Sequence, residues 1–156
     1  MTVAQLITLK NDILTRWPTP ATRPSDLDIA EFYNTPTTAP AVEVWRPVVT
    51  IQELNAAIEW PYMITLTQEK QLAFQSMIWA NQIDMTDLQV RQGVNAIFAA
   101  PMAPGTRNNI NGAGCGKRTG TYFETLFVKD TNPVVKVSLF FGELLTPGDV
   151  TAALSS

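Results

Sequence analysis

Residues 2–16, Thr-Val-Ala-Gln-Leu-Ile-Thr-Leu-Lys-Asn-Asp-Ile-Leu-Thr-Arg, contain the clearest helix signals of the chain. Thr2 and Gln5 have the spacing of a capping box, in which the two side chains satisfy backbone N–H groups at the start of a helix. Leucine and isoleucine then recur at helical spacing. Trp17 precedes Pro18, and a residue before proline is pushed out of the helical region. The stretch therefore predicts a helix from about Val3 to Arg16 that docks by a broad apolar face.

Similar start signals recur along the chain. Ser25 can cap a short second helix, and Thr50 with Glu53 forms a capping box before a helix that Trp60-Pro61 closes. Thr121 and Glu124 form another box; the residues after it could also be an alternating strand, and we favour the helix. Thr146-Pro147-Gly148-Asp149 places proline at the first helical position and predicts a short terminal helix.

Two further helices are predicted in the middle of the chain. One begins at Thr65 or Thr67 and continues to about Asn81. Its apolar residues are spread around much of the circumference, which is typical of a central, buried helix. The next is capped by Asp84 or Thr86 and ends before residues 99–104.

The clearest strand is Val134–Phe141, which is rich in β-branched and aromatic residues. A single strand cannot satisfy its own backbone groups. It must pair with residues 42–46, with residues near Tyr122, or with another subunit. We predict a mainly α fold: one helical domain over 1–156 with five to six helices and a minor C-terminal β element, in which 133–156 form a strand and a short helix.

Residues 105–120 are rich in glycine and asparagine, and they predict a flexible loop that becomes ordered in an assembly. The loop carries the basic residues Arg107, Lys117 and Arg118, which we take as the candidate interface. These bases could hold a phosphate or a neighbour's carboxylates, or could simply be solvated. Cys115 lies beside two of them, which could lower the pKa of its thiol.

The stretch Gly112–Thr119 resembles a phosphate-binding loop only superficially. Such a loop needs four residues between its glycines and a Ser or Thr directly after the lysine, because that hydroxyl holds magnesium. Here three residues separate Gly112 from Gly116, and Arg118 occupies the hydroxyl position. We therefore predict no nucleotide site.

Composition excludes several classes of function. The chain of 156 residues has no histidine and one cysteine, so the usual zinc sites, histidine-based nucleophile pairs and intrachain disulfides are excluded. A net charge of -3 disfavours a nucleic-acid-binding protein, which needs a basic face. The acidic clusters at Asp26 and Asp84 are explained as helix caps, and Trp17 and Trp60 as packed helix corners. We predict a protein that is not an enzyme, with no catalytic residue, cofactor or metal and no specific nucleic acid as partner.

The low content of charged residues also indicates what kind of partner the protein can bind. Charged residues make up 16% of the chain, against about 25% in an ordinary soluble domain. A surface poor in charge loses little desolvation energy when it is covered, which suits a subunit that works against neighbours. Ordinary variation in composition would give the same low content of charged residues.

The start of the chain lacks the basic-then-apolar pattern of a secretory signal, and no apolar run reaches about 20 residues. We expect a soluble protein made in a cytoplasm, with no membrane partner.

Short motifs along most of the chain, from about Leu6 to Val150, resemble a family of small, poorly characterised structural proteins in the morphogenesis clusters of tailed bacteriophages. The motifs, in chain order, are Leu-Lys-x-Asp-Ile at 9–13, Ala-Glu-Phe-Tyr-Asn at 30–34, Val-Trp-Arg at 44–46, Ala-Ile-Glu-Trp at 57–60, Ile-Trp at 78–79, Val-Arg-Gln-Gly at 90–93, Thr-Arg at 106–107, Lys-Arg-Thr at 117–119 and Leu-Phe at 126–127. The terminal strand and short helix are similar too. Where members of the family tend to keep a helix between the two basic sites, this chain has residues 109–116.

The resemblance implies a non-enzymatic virion structural protein that acts through subunit contacts and is assembled in the cytoplasm of a bacterial host. We expect the head–tail junction or the tail as its location, with the capsid as a further possibility. Its expected partners are other virion proteins and copies of itself. The alternative is an assembly factor, a chaperone or scaffold, that is absent from the mature particle. The resemblance implies no catalytic residue.

Overall fold

The computed structural model describes residues 1–38, 41–99, 104–128, 135–136, 138–140 and 142–156, and the fold is mainly α, as predicted. The helices are α1 (Val3–Arg16), α2 (Asp26–Asn34), α3 (Ile51–Ala57), α4 (Trp60–Met63), α5 (Gln68–Met77), α6 (Leu88–Ile97), α7 (Pro104–Ile110), α8 (Tyr122–Leu126) and α9 (Pro147–Ser155), with a 3₁₀ turn at Pro20–Thr22. The strands are β1 (Glu43–Trp45), β2 (Val49–Thr50), β3 (Gln82–Ile83), β4 (Lys117–Thr119) and β5 (Val135–Lys136).

The chain forms two compact units, whereas the sequence predicts a single domain. Unit 1 comprises residues 1–42 and 119–156, and unit 2 comprises residues 43–118. Each unit has its own cluster of buried apolar side chains. Hydrophobic periodicity within one helix does not show which helices share a core.

Unit 1 is built from helices whose starts are fixed by local capping. The predicted box of Thr2 and Gln5 forms at α1, and boxes also begin α2, α8 and α9. Each box satisfies backbone N–H groups that a helix start otherwise leaves unpaired. The core of this unit is formed by buried side chains of all four helices: Leu9, Ile13, Ile29, Tyr33, Phe123, Val150 and Ala153.

Trp17 closes α1 as a packed corner, which confirms its predicted role. Its ring meets that of Phe32 edge to face, with centroids 5.3 Å apart. Tyr33 donates a hydrogen bond to Asp12, and Arg16 donates to the same carboxylate at 2.6 Å. Burial is the main reason that the pKa of Tyr33 is raised. This cluster fastens the end of α1 to α2.

Unit 2 contains a two-stranded sheet and helices α3 to α7, in which α3 contacts β2 and α7, and α6 contacts α5 and α7. In that sheet β2 and β3 are antiparallel, with Val49 opposite Ile83. The capping box of Thr50 and Glu53 begins α3, as predicted. The core of unit 2 includes Leu54, Phe74, Ile83, Val94, Phe98 and Ile110.

Several predicted boundaries in unit 2 are wrong. Trp60 does not close the preceding helix but begins the four-residue α4, and its side chain is exposed. The cap of α6 is Asp87 rather than Asp84 or Thr86, because the Asp84 carboxylate instead accepts hydrogen bonds from the Thr86 backbone and hydroxyl. Phe74 is the buried residue of α5, so α5 is a peripheral helix and not the predicted central one.

The predicted loop over 105–120 is wrong in its secondary structure. Its first part is helix α7 and its end is strand β4. Thr106 and Ile110 are fully buried, and the Gly116 N–H donates to the Ile110 carbonyl at 2.8 Å. These contacts anchor the glycine-rich turn between the two elements.

The predicted strand over 134–141 is short where it is described. Strand is present at Val135–Lys136, Ser138 forms an antiparallel bridge with Val128, and the residues after Ser138 turn. Residues 134, 137 and 141 lie outside the described part of the chain. The predicted terminal helix is present as α9.

A tight hairpin before β3 places two residues that are not glycine in the left-handed region. Ala80 and Asn81 have φ of 49° and 63°, and Trp79 and Gln82 exchange both backbone hydrogen bonds, at 2.8 and 2.9 Å. Positive φ at both central positions is the pattern of a type I′ turn. Asparagine tolerates this conformation, whereas alanine pays a steric cost for its Cβ.

We expect Ala80→Gly to raise the free energy of unfolding by about 0.5–1 kcal/mol. Relief of the Cβ clash outweighs the greater freedom that glycine gives the unfolded chain. Ala73→Gly, on the exposed side of α5, is the matched control and should lower stability by about 1 kcal/mol. Urea denaturation measures both. Equal losses in the two variants would contradict the strained turn.

Candidate functional site

The three basic residues of the predicted interface lie on different elements or different faces of one element. Arg107 lies in α7, and Lys117 and Arg118 are adjacent in β4. Successive side chains of a strand point to opposite faces of the sheet, so Lys117 and Arg118 do not share a face. The structure therefore does not form the single basic cluster that the sequence predicts.

Lys117 is engaged within its own unit. Its Nζ lies 3.4 Å from Glu43 Oε2 and 4.9 Å from the centroid of the Trp45 ring. The guanidinium carbon of Arg91 lies 4.8 Å from the same ring, and Arg91 Nη1 donates to the Met85 carbonyl at 2.8 Å. Two cations thus flank one indole, each by a cation–π contact. This arrangement makes Lys117 a structural residue of unit 2 and a poor candidate for docking.

Unit 2 also contains a cleft of about 390 Å³ between α3 and α7. The residues that line it are Glu53, Ala56, Ala57, Asn108, Asn109, Gly112, Gly114 and Cys115. Most of these side chains are small, so backbone atoms form much of the wall. The volume of the cleft is at the lower end of the range of volumes found for small-molecule binding sites.

Glu53 is the charged side chain of the cleft lining. Its Oε1 lies 2.7 Å from Arg46 Nη1, and its Oε2 accepts hydrogen bonds from the Thr50 backbone and hydroxyl. The hydrogen bond from Arg46 is the largest cause that lowers the pKa of Glu53, to about 2. The carboxylate is therefore ionised throughout the physiological range.

The pKa of the Cys115 thiol is shifted in the direction opposite to the predicted one. The proximity of two bases in sequence suggested a lowered pKa, but the side chain is buried. Burial, with a smaller contribution from the charge of Glu53, raises the pKa of the thiol to about 11. Cys115 is thus a protonated, weakly nucleophilic thiol at neutral pH.

The order of elements around the glycine-rich turn supports the rejection of a phosphate-binding loop. Residues 112–116 follow helix α7 and lead into strand β4. A P-loop has the reverse order, in which the strand comes first and the helix presents its N-terminus to the phosphates. Within the described ranges, no group of three or more acidic, cysteine or histidine side chains could hold a metal ion.

The largest departure from the prediction is the exposure of residues 60–79, which we call the apolar segment. Five large apolar side chains in it are well exposed: Trp60, Tyr62, Ile64, Leu72 and Trp79. Trp79 is 82% exposed and Ile64 is 76% exposed. Glu69 and Lys70 are the only charged residues of the segment. The pattern of apolar residues does not reveal this surface, because it predicts that Leu72 and Trp79 belong to a buried helix.

Local contacts hold the apolar segment in shape. The Gln71 side chain donates to the carbonyls of Met63 and Leu66, at 3.1 and 3.0 Å. Lys70 Nζ donates to the Ile97 carbonyl at 3.4 Å. Trp79, the last residue of the segment, is the first residue of the hairpin that contains Ala80 and Asn81. The exposed side chains therefore project from a backbone that is tied to the rest of unit 2.

No membrane-spanning candidate occurs among the helices of the described residues, since none combines the necessary length with sufficient hydropathy. Comparison with known proteins finds no family model, no curated protein and no solved structure that matches the chain.

Proposed function

We propose that this chain is a non-enzymatic structural protein of a tailed-bacteriophage virion that acts through contacts with other virion proteins and with copies of itself. The head–tail junction or the tail is the proposed location. The observation that carries the proposal is the apolar segment, because it is a surface suited to being covered by another protein.

The exposed side chains of the segment are of the types that dominate protein interfaces. Trp79, Trp60 and Tyr62 are aromatic residues, which are enriched among interface residues whose removal costs 2 kcal/mol or more. Monomeric proteins seldom expose large apolar patches, and those that do commonly use them for binding. Covering this segment would remove apolar area from water at little electrostatic cost, since the segment carries only two charges.

The bacteriophage assignment rests on the family resemblance. Two of the resembling motifs, Ala-Ile-Glu-Trp at 57–60 and Ile-Trp at 78–79, overlap the two ends of the apolar segment. Because Trp60 and Trp79 are exposed, a packing role within the isolated chain does not account for these residues. A contact with a neighbouring subunit does account for them.

The double variant Leu72→Gln, Trp79→Ser tests the proposal. Both side chains are more than half exposed, so we expect stability to change by less than about 1 kcal/mol. In a virus that depends on the variant gene, we expect a roughly tenfold or greater loss of variant protein from purified particles, because a buried interface tryptophan is worth about 2 kcal/mol or more. Quantitative mass spectrometry of particles, with infectious titre, measures the effect.

The matched control is Val3→Ser, Leu144→Gln, which changes two apolar residues of unit 1 that are each 69% exposed. This control should be incorporated at the level of the unaltered protein. Normal incorporation of the apolar-segment variant would contradict the proposal. Equal losses in both double variants would mean that the loss of any exposed apolar side chain reduces incorporation, and this would contradict a specific role for the apolar segment.

A further inference from the structure

The cleft between α3 and α7 is rich in hydrogen-bond acceptors. Glu53 supplies a carboxylate on which three hydrogen bonds from protein donors are placed, one on Oε1 and two on Oε2. A carboxylate has about four acceptor positions, so Oε1 can accept one more donor. Asn109 donates through Nδ2 to the Ala57 carbonyl at 3.2 Å, which leaves its side-chain oxygen as an acceptor.

Two helix ends add further acceptors. Ala56 and Ala57 belong to the last turn of α3, and Asn108 and Asn109 to the last turn of α7. The last carbonyls of a helix have no partner within the helix and carry partial negative charge. In α3 the Ala57 carbonyl is satisfied by Asn109, and in α7 the Arg107, Asn109 and Ile110 carbonyls accept from backbone N–H groups. The carbonyls of Ala56 and Asn108 are the ones to which no described residue donates.

The cleft lining contains no basic side chain. The guanidinium of Arg46 lies beside the lining, where its Nη1 donates to Glu53 Oε1 at 2.7 Å and to the Cys115 carbonyl at 2.9 Å. It balances the charge of Glu53 without occupying the remaining acceptors. The lining therefore offers acceptors to a ligand that brings its own hydrogen-bond donors.

We propose that this cleft binds a hydrogen-bond-donating cation, an ammonium or guanidinium group carried on a short aliphatic chain. The donors meet Glu53 and the acceptors at the ends of α3 and α7, while the methyl groups of Ala56 and Ala57 contact the aliphatic part. Such a group can come from a lysine or arginine side chain of a protein partner or from a free small amine. This proposal concerns a site separate from the apolar segment and does not depend on the virion assignment.

Gly114 offers a way to block the cleft without disturbing the fold. It lines the cleft, and a Cβ built on it would have no atom within 4 Å. Gly114→Leu therefore adds a bulky apolar side chain to the cleft lining without a steric clash at its Cβ. Asn108→Ala removes an exposed amide that lines the cleft, and Asn55→Ala, also exposed in α3 but outside the lining, is its matched control.

The test is an NMR titration of the full chain, followed through the backbone amides of Ala56, Gly112 and Gly114. The probes are n-butylammonium chloride, Nα-acetyl-lysine N-methylamide, and n-butanol as an uncharged control. We expect saturable shifts of these amides with both cations and none with butanol. Gly114→Leu should weaken binding of the cations at least tenfold, or about 1.4 kcal/mol. Asn108→Ala should weaken it roughly threefold to tenfold, the effect of one hydrogen bond, and Asn55→Ala should not change it.

The two cationic probes distinguish the sources of the group. Tighter binding of the lysine derivative indicates a protein partner, whose main chain adds contacts, and equal binding indicates a free amine. Equal shifts with butanol and the cations would overturn the proposal, because charge would then play no part. Absence of shifts with either cation, or cation binding that Gly114→Leu leaves unchanged, would overturn it as well.

Discussion

Gly116→Ala is expected to destabilise the protein by about 3 kcal/mol, the largest loss that we expect from adding a single methyl group. A Cβ at this position would lie 2.4 Å from the Ile110 carbonyl oxygen and 3.1 Å from Met85 Cε. That carbonyl already accepts the Gly116 N–H at 2.8 Å, so the backbone cannot move away without breaking the hydrogen bond. The turn between α7 and β4 thus requires glycine at this position.

Gly114→Ala is the matched control for this prediction, because its Cβ would meet no atom within 4 Å. We expect its stability to change by less than about 1 kcal/mol. Chemical denaturation of the two variants and the unaltered chain gives the comparison. If both alanine variants were equally stable, the close approach of Gly116 to the Ile110 carbonyl would be refuted.

Glu124→Ala is expected to destabilise unit 1 by about 3–4 kcal/mol. The Glu124 side chain is completely buried, and its two oxygens accept hydrogen bonds from the backbone N–H groups of Thr121, at 2.9 Å, and Gly142, at 2.6 Å. Alanine would remove both hydrogen bonds, the packing of a buried side chain and the carboxylate that closes the capping box of α8. A hydrogen bond to a charged group contributes about 1.5–3 kcal/mol.

Glu143→Ala is the control, since the Glu143 side chain is exposed and the change should alter stability by less than about 0.5 kcal/mol. Glu124→Gln should fall between the two alanine variants, because its remaining carbonyl oxygen can still accept one of the two hydrogen bonds. Thermal unfolding followed by circular dichroism ranks the three variants. A stability of Glu124→Ala close to that of Glu143→Ala would show that the buried carboxylate contributes little.

The helix starts were predictable because capping is a local interaction. Thr2 with Gln5, Thr50 with Glu53, and Thr121 with Glu124 all form the boxes that their spacing predicts. A box involves residues three apart, so its chemistry is contained in the sequence and needs no tertiary information. The α-helical class followed from these signals.

The helix within 105–120 was not predictable by the same reasoning. Its composition of glycine and asparagine disfavours helix, and Ile110 is its one large apolar side chain. Tertiary contacts decide the outcome: the Thr106 hydroxyl accepts from the Glu59 N–H at 2.9 Å, and Asn109 caps the end of α3. Local propensity is a weak constraint that such contacts override.

The apolar segment illustrates a different limit. Apolar residues spread around a helix predict burial, but the same pattern arises when one part of the helix packs within the chain and another is exposed. In α5, Phe74 is buried while Leu72 is 56% exposed. Periodicity does not distinguish a core from an exposed apolar surface, so the sequence predicts an interface from charge and does not reveal the exposed side chains of the apolar segment.

Quantitative mass spectrometry of purified particles of the bacteriophage that we propose as the source of this chain is the direct test of the claim that it is a virion component. We expect the protein in a fixed number of copies per particle, at a stoichiometry comparable to that of other head–tail or tail proteins, and retained after a salt wash. Retention in salt is expected because apolar contacts, unlike ion pairs, are not screened. Its absence from mature particles, together with its presence in assembly intermediates, would contradict the claim and identify an assembly factor instead.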